Sequence, residues 1–166
     1  LSQLKLGGDL NWEFDVGPLI SQNQLERVNA HVADAVANGA TVRAGGRARP
    51  DVGPLFYEPT VLTGVTPRAA CFGEETFGPV ASVYPYDDVD AAIAQINSGP
   101  FGLSASVWTR RPWRGAKLAA RIEAGTVNVN EAYSAAYGST GSSMGGMKSS
   151  GIGRRHGAYG IQKYTE

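Results

Sequence analysis

One short segment holds most of the residues whose chemistry could support a reaction. In CFGEETFGPV, residues 71–80, a cysteine precedes two adjacent carboxylates, Glu74 and Glu75. Cys71 is the only cysteine of the chain, and a thiol beside an acid would suit a nucleophile with its base. A nucleophilic cysteine, however, usually needs a histidine or a positive field to lower the pKa of its thiol. The segment therefore raises a catalytic hypothesis that needs a second group elsewhere in the chain.

The two histidines of the chain do not supply that group. His31 lies within a predicted helix, and His156 follows a pair of arginines. We therefore interpret Cys71 as a partly buried loop cysteine without a catalytic role. Glu74 and Glu75 can equally be solvated acids at a turn. A metal site is not indicated, because hard cations need several more oxygen ligands and no cluster at ligand spacing supplies them.

A glycine- and serine-rich segment near the C-terminus is the second candidate. GGMKSSGIGRR, residues 145–155, departs from both the phosphate-loop and the dinucleotide-binding patterns. Its backbone N–H groups and Lys148 could still hold an anion. The alternative is a structural loop with sharp turns. The preceding residues, 130–144, are small, polar and aromatic, which suits either a pocket-lining loop or a surface loop.

Composition and charge narrow the class of protein. The 166 residues are enough for one domain with a hydrophobic core. Lysine plus arginine and aspartate plus glutamate both number 15, and this balance argues against nucleic acid or an acidic membrane as the main partner. No apolar run approaches the roughly 18 residues of a membrane span. A single cysteine cannot form an internal disulfide and indicates a reducing, cytoplasmic setting.

Helices and strands alternate along the part of the chain that must position these residues. Ser21 begins a capping box with Gln24, and apolar spacing predicts a helix over residues 22–38 that stops at Gly39. Further helices are predicted over 88–97 and 111–123, and a short one at the C-terminus. Strands are predicted at 41–46, 60–65, 80–86, 103–109 and 125–130, the fourth of them largely buried. This order predicts an α/β fold with a partly parallel sheet flanked by helices.

The order of several segments resembles the C-terminal part of the aldehyde dehydrogenase superfamily. They include FYEPTVL, EETFGPV, AGTVNVN and GGMKSSGIGRRHG, and the resemblance covers nearly all of the chain. Within the superfamily the chain is most similar to bacterial succinate-semialdehyde dehydrogenases, through RPDVGPLFYEPTVL, GSSMGGMK and GRRHG. The resemblance implies that residues 1–166 are the C-terminal portion of a catalytic domain, without the nucleotide-binding domain and the nucleophile segment.

The resemblance also implies a reaction, the oxidation of an aldehyde, here succinate semialdehyde, to its acid with NAD or NADP. In this family a cysteine thiolate attacks the aldehyde, the hemithioacetal gives hydride to the cofactor, and a glutamate-activated water hydrolyses the thioester. The family's nucleophile, base and oxyanion asparagine belong to upstream segments, so Cys71 is not at the nucleophile position. The implied partners are the aldehyde, the upstream half of the same enzyme and further copies in a homo-oligomer.

Four residues match cofactor-binding positions of the family. Glu75 matches the glutamate that hydrogen-bonds the nicotinamide ribose hydroxyls, and Phe77 matches the aromatic residue that packs near the nicotinamide ring. Both would point the same way if the segment is extended. Gln24 and Arg27 match positions that can contact the ribose side of the cofactor.

Two serines are candidates for binding the substrate. In succinate-semialdehyde dehydrogenases a serine in this region helps to hold the distal carboxylate of the substrate. Ser134 lies close to that position, where alignment would place Ala135, and Ser139 is a second candidate because the loop is longer than in some relatives.

Two alternatives to a succinate-semialdehyde dehydrogenase stay open. The first is an α/β interaction module that kept the fold and lost the chemistry. A longer reading frame with an upstream GQxC-type segment would exclude it. The second is an enzyme of the same superfamily for a different aldehyde, since loop residues set substrate choice.

We predict that the 166-residue chain alone has no dehydrogenase activity, because the family's nucleophile, base and nucleotide domain belong to segments that it does not include. The test is incubation with succinate semialdehyde and either cofactor, followed by the absorbance of the reduced nicotinamide. Turnover that disappears in Cys71→Ser would contradict both this prediction and the interpretation of Cys71.

Overall fold

The computed structural model describes residues 3–9, 13–132, 134–162 and 165. The chain divides into two compact units, residues 1–85 and 86–166, which both combine helices with strands. The predicted α/β class with partly parallel strand pairing is confirmed. Within the described ranges the strands form three small sheets and not one continuous layer. No helix in those ranges has both the length and the apolar character that crossing a membrane requires.

Helix α1 (Gln22–Ala37) begins and ends close to the predicted positions. The hydroxyl of Ser21 accepts a hydrogen bond from the N–H of Gln24 at 3.2 Å, as half of the predicted capping box. At the other end Gly39 has a φ of 98° and donates its N–H to the carbonyl of Val36 at 3.0 Å. This left-handed stop satisfies a carbonyl that the helix leaves open. The second half of the capping box does not form, because the side chain of Gln24 contacts a distant segment.

The first unit packs the apolar face of α1 into a common core with a three-stranded sheet. The remaining elements of this unit are β1 (Thr41–Ala44), β2 (Thr60–Thr63), α2 (Ala70–Gly73) and β3 (Val80–Val83). Strand β2 runs antiparallel to β1 and parallel to β3. The buried core cluster consists of Leu25, Val28, Val32, Ala35, Ala40, Tyr57, Leu62, Val65 and Ala69.

The second unit contains two short strand pairs with helices between them. Its elements are α3 (Val89–Ser98), β4 (Phe101–Gly102), β5 (Ser104–Val107), α4 (Pro112–Ala119), β6 (Thr126–Val129), α5 (Ser134–Gly138), β7 (Met147–Lys148) and α6 (Gly157–Gln162). Strands β5 and β6 pair in parallel, whereas β4 and β7 pair in antiparallel orientation.

The expectation that the fourth strand is largely buried is wrong. Along β5, exposed serines alternate with half-buried Ala105 and Val107, so one face of the strand is polar and open. The short elements α2, α5, β4 and β7 were not predicted, because they are shorter than one clear hydrophobic period.

Gly78 generates a prediction about stability. A Cβ built on Gly78 would lie 2.5 Å from Cγ2 of Val28, which is fully buried in α1. We expect Gly78→Ala to lower the free energy of unfolding by about 1–3 kcal/mol through overpacking, as measured by urea denaturation. Gly73→Ala is the matched control, because a Cβ there meets nothing within 4 Å. Equal losses in the two variants would contradict the packing explanation.

Candidate functional site

One face of α1 carries four polar side chains that all contact the chain between residues 70 and 77. Gln24, Arg27, His31 and Asp34 stand at i, i+3, i+7 and i+10, so they share one side of the helix. We call these four residues the polar stripe. Asp34 accepts a hydrogen bond from the N–H of Ala70 at 2.7 Å and thereby holds the start of α2. The other three reach residues 74–77, which we call segment 74–77.

Gln24 holds the backbone of segment 74–77. Its side-chain amide donates to the carbonyl oxygens of Thr76 at 2.7 Å and of Phe77 at 2.9 Å. Both hydrogens of the amide group are thereby used. Because these bonds direct the side chain toward segment 74–77, its oxygen does not accept from the N–H of Ser21, and the capping box stays incomplete. For a ribose contact of Gln24, which stays a prediction, only the side-chain carbonyl oxygen is left.

Arg27 and His31 converge on Glu74. Nη2 of Arg27 and Nε2 of His31 lie 3.3 Å and 3.6 Å from the same carboxylate oxygen. The Arg27 and Glu74 side chains are half exposed, so their pair contributes about 0–1 kcal/mol to stability. Its effect is to orient Glu74 and to engage Arg27. A contact of Arg27 with a cofactor stays a prediction.

His31 has a second partner in segment 74–77. Its Nδ1 shares a hydrogen bond of 3.1 Å with Oγ1 of Thr76, and the donor depends on the tautomer of the ring. His31 is only 7% exposed and Thr76 is half-buried, so this bond is partly buried. Sequence reasoning missed the role of both residues. The available signal was the spacing of His31 from Gln24 and Arg27 along one helix face.

Glu75 and Phe77 are exposed between these held residues. Phe77 is 69% exposed and has a φ of 52°, a left-handed conformation that is uncommon for a residue other than glycine. The extended conformation considered for this segment is therefore wrong at Phe77, and strand alternation does not set the direction of its side chain.

The exposed pair presents two chemically different surfaces. Among the described residues Glu75 has no hydrogen-bonding or ionic partner. An ionised carboxylate only accepts hydrogen bonds, so it suits the hydroxyl groups of a sugar. Phe77 offers an exposed aromatic face that suits a planar ring. The residues present therefore fit the ribose and ring of a nicotinamide nucleotide.

Cys71 lies in α2 and packs against the buried core cluster. Burial raises the pKa of its thiol, which favours the unreactive neutral form. In the part of the chain that the structure describes, no group of three or more histidine, cysteine, aspartate or glutamate residues could hold a metal ion. Cys71 has no feature of an activated nucleophile.

The two candidate substrate serines lie in the second unit. Ser134 is the first residue of α5 and is exposed. Ser139 is exposed as well, and its hydroxyl shares a 2.6 Å hydrogen bond with the hydroxyl of Ser142. The chain before α5 is held by Asn128, whose side-chain amide donates to the carbonyl of Ala132 at 2.6 Å. A carboxylate contact of Ser134 or Ser139 stays a prediction, and the side chain of Ala135 lies outside the described part.

The glycine-rich segment 145–155 favours the structural alternative. The ammonium group of Lys148 donates to the carbonyls of Asn97 and Gly99 at the end of α3. It also lies 2.9 Å from a carboxylate oxygen of Glu123. A cation is favourable at the C-terminus of a helix, where carbonyls lack partners. Three oxygens surround Lys148, which leaves little reason to assign it an anion.

Comparison with known sequences gives the family of the chain. The sequence model described as the aldehyde dehydrogenase family matches residues 1–166. A relative from Mycobacterium tuberculosis (strain ATCC 25618 / H37Rv) carries the provisional name succinate-semialdehyde dehydrogenase (NADP(+)) 2. It is 55% identical over 163 residues, which cover 98% of this chain and 32% of the relative. The chain thus spans about a third of the length of this relative.

Comparison with solved structures agrees. The aldehyde dehydrogenase of Mycobacterium tuberculosis complexed with NAD+ superposes with a TM-score of 0.89 at 35% identity, over 98% of this chain and 33% of that one. The succinate-semialdehyde dehydrogenase of Burkholderia pseudomallei gives a TM-score of 0.86 at 36% identity, with the same coverage of both chains. A family match over every residue and close structural agreement lead to one conclusion: the chain belongs to the aldehyde dehydrogenase family.

Proposed function

We propose that residues 1–166 are the C-terminal portion of the catalytic domain of an NAD- or NADP-dependent aldehyde dehydrogenase that oxidises succinate semialdehyde to the acid. The observation that carries the proposal is the presentation of Glu75 and Phe77. Both are exposed, and the residues on either side of Glu75 are held by α1. A surface acid beside an exposed aromatic ring is otherwise unexplained, since neither residue contributes to the core.

The roles of the chain's own residues follow from their chemistry. Glu75 would accept hydrogen bonds from ribose hydroxyls, and Phe77 would pack beside the nicotinamide ring and restrict its position. When bound, the cofactor supplies the acceptor for the hydride. Gln24 and Arg27 would contribute to the ribose side, Gln24 through its carbonyl oxygen. Orientation is the main contribution of this part of an enzyme, because correct placement of reacting groups removes much of the entropic barrier.

The substrate is proposed from the relatives. One is named for succinate semialdehyde with NADP(+), and a structural neighbour is named for the same aldehyde. That relative is named for NADP(+), and a structural neighbour was solved with NAD+, so the two together support either cofactor. Ser134, with Ser139 as second candidate, would donate to the distal carboxylate of the substrate. A hydroxyl suits this task, because a hydrogen bond to an ionised acceptor is stronger than one between neutral groups.

We further propose that the upstream half of the same enzyme and further copies of it pack against this portion. Large apolar side chains such as Ile20, Trp108 and Trp113 are exposed, which supports a protein partner. The unpaired thiol of Cys71 supports a cytoplasmic location.

We expect Glu75→Gln in the intact enzyme to slow hydride transfer about ten- to a hundredfold. The reason is that a hydrogen bond to a charged group contributes about 1.5–3 kcal/mol. The measurement is single-turnover formation of reduced nicotinamide. Glu26→Gln on the exposed side of α1 is the control for the same chemical change and should match the wild type. An unchanged rate in Glu75→Gln would remove Glu75 from the site.

We expect Ser134→Ala in the intact enzyme to lower kcat/KM for succinate semialdehyde far more than for butanal, which lacks the carboxylate. The loss for the charged substrate should be about 1–3 kcal/mol, and Ser139→Ala should lose less, because Ser139 already has Ser142 as a partner. Equal losses with both substrates would mean that the loop acts through folding or closure. If the wild-type enzyme prefers butanal, the family assignment stands, but the proposal of succinate semialdehyde as the substrate fails.

A further inference from the structure

His31 is the only described side chain that contacts both neighbours of Glu75. Its Nε2 lies 3.6 Å from the carboxylate of Glu74, and its Nδ1 shares a hydrogen bond with the hydroxyl of Thr76. The imidazole ring therefore hydrogen-bonds residue 76 and lies beside the carboxylate of residue 74, so it has a polar contact on each side of residue 75. The ring is buried at 7% exposure, whereas Glu75 itself is exposed.

Phe77, which follows Thr76, has a backbone conformation that needs support from its surroundings. Phe77 is left-handed with a φ of 52°, and such a backbone persists only where its surroundings hold it. Gln24 binds the carbonyls of Thr76 and Phe77, while His31 binds the side chain of Thr76. The backbone and the side chain of Thr76 are thus fixed by two residues of the same helix.

We propose that His31 is a positioning residue, which acts through Thr76 and Glu74 to hold Glu75 and Phe77 in place for the nicotinamide nucleotide. This inference rests on the proposed function, because it assumes that segment 74–77 contacts the cofactor. It adds a residue to which the family resemblance assigns no role. His31 does not touch the cofactor in this proposal; it restricts the conformations of the two residues that do.

A purely structural role for His31 makes a different prediction. If the ring only filled space beside the core, the larger ring of phenylalanine would overpack the site and loosen α1 as much as segment 74–77. If the nitrogens matter, His31→Phe should loosen segment 74–77 without loosening the rest of α1. Thr76→Val removes the partner hydroxyl at nearly constant shape and tests the same bond from the other side.

The experiment uses the intact enzyme with His31→Phe, Thr76→Val and the double variant. The first readout is amide hydrogen exchange of segment 74–77 without cofactor, followed at Glu74, whose N–H donates to the carbonyl of Ala70 at 2.9 Å. We expect exchange to rise about three- to tenfold in either single variant, since each removes one hydrogen bond that holds the segment. The double variant should rise no further than His31→Phe, which already removes the bond to Thr76. Exchange in α1 and β3 should stay at the wild-type level.

The second readout is the Kd for NAD+ or NADP+ together with single-turnover hydride transfer. Both should worsen by about the same three- to tenfold factor. In a Glu75→Gln background the effect of His31→Phe on hydride transfer should shrink below about twofold, since the carboxylate to be positioned is gone. Thr66→Val is the matched control, because the hydroxyl of Thr66 is buried without a hydrogen-bonding partner. It should leave exchange of Glu74 and both cofactor parameters unchanged.

The outcomes separate this proposal from the proposed function. Wild-type exchange at Glu74 in His31→Phe would overturn the proposal whatever the effect of Glu75→Gln. Raised exchange in His31→Phe without any change in cofactor affinity or hydride transfer would also overturn it, provided that Glu75→Gln slows hydride transfer. An unchanged rate of hydride transfer in Glu75→Gln would instead count against the proposed function.

Discussion

The candidate site depends on the polar contacts that hold the chain between residues 70 and 77 against α1. Two adjacent faces of one helix have different tasks. One face buries Leu25, Val28 and Val32 in the core of the first unit and so fixes the helix against the sheet. The neighbouring face carries the polar stripe, whose side chains bind residues 70–77. A polar side chain positions its partner well only if its own helix is immobile, and burial of the apolar face provides that.

The energetics of the segment are balanced by these contacts. A left-handed backbone at a residue such as Phe77 costs of order 1–3 kcal/mol. An intramolecular hydrogen bond contributes about 0.5–1.5 kcal/mol net, and Gln24 and His31 together make three bonds to Thr76 and Phe77. Their sum, about 1.5–4.5 kcal/mol, is comparable to the cost. The backbone that carries the exposed ring of Phe77 is thus held before any ligand binds, which lowers the entropic cost of binding.

Appearance and role diverge at the two segments that attracted attention in the sequence. Cys71 is the most reactive residue type beside Glu74 and Glu75, yet burial raises the pKa of its thiol. Lys148 stands in a glycine-rich loop that resembles an anion site, yet its charge is used at the end of α3 and on Glu123. In both places the chemistry of a side chain depends on its surroundings, and a residue type by itself does not establish a function.

The sequence by itself determined the elements that are long and periodic, the α/β class and the family. The bounds of α1, its cap at Ser21 and its stop at Gly39 follow from local signals within a few residues, because helix formation is governed by short-range spacing and backbone geometry. The cofactor-binding roles expected of Glu75 and Phe77 came from family resemblance alone. Only the tertiary structure decided that Gln24 turns away from its cap, that Phe77 is left-handed, and that His31 meets Thr76. His31 and Thr76 are 45 positions apart in the sequence. Their contact arises from the packing of α1 beside α2, which no local pattern encodes.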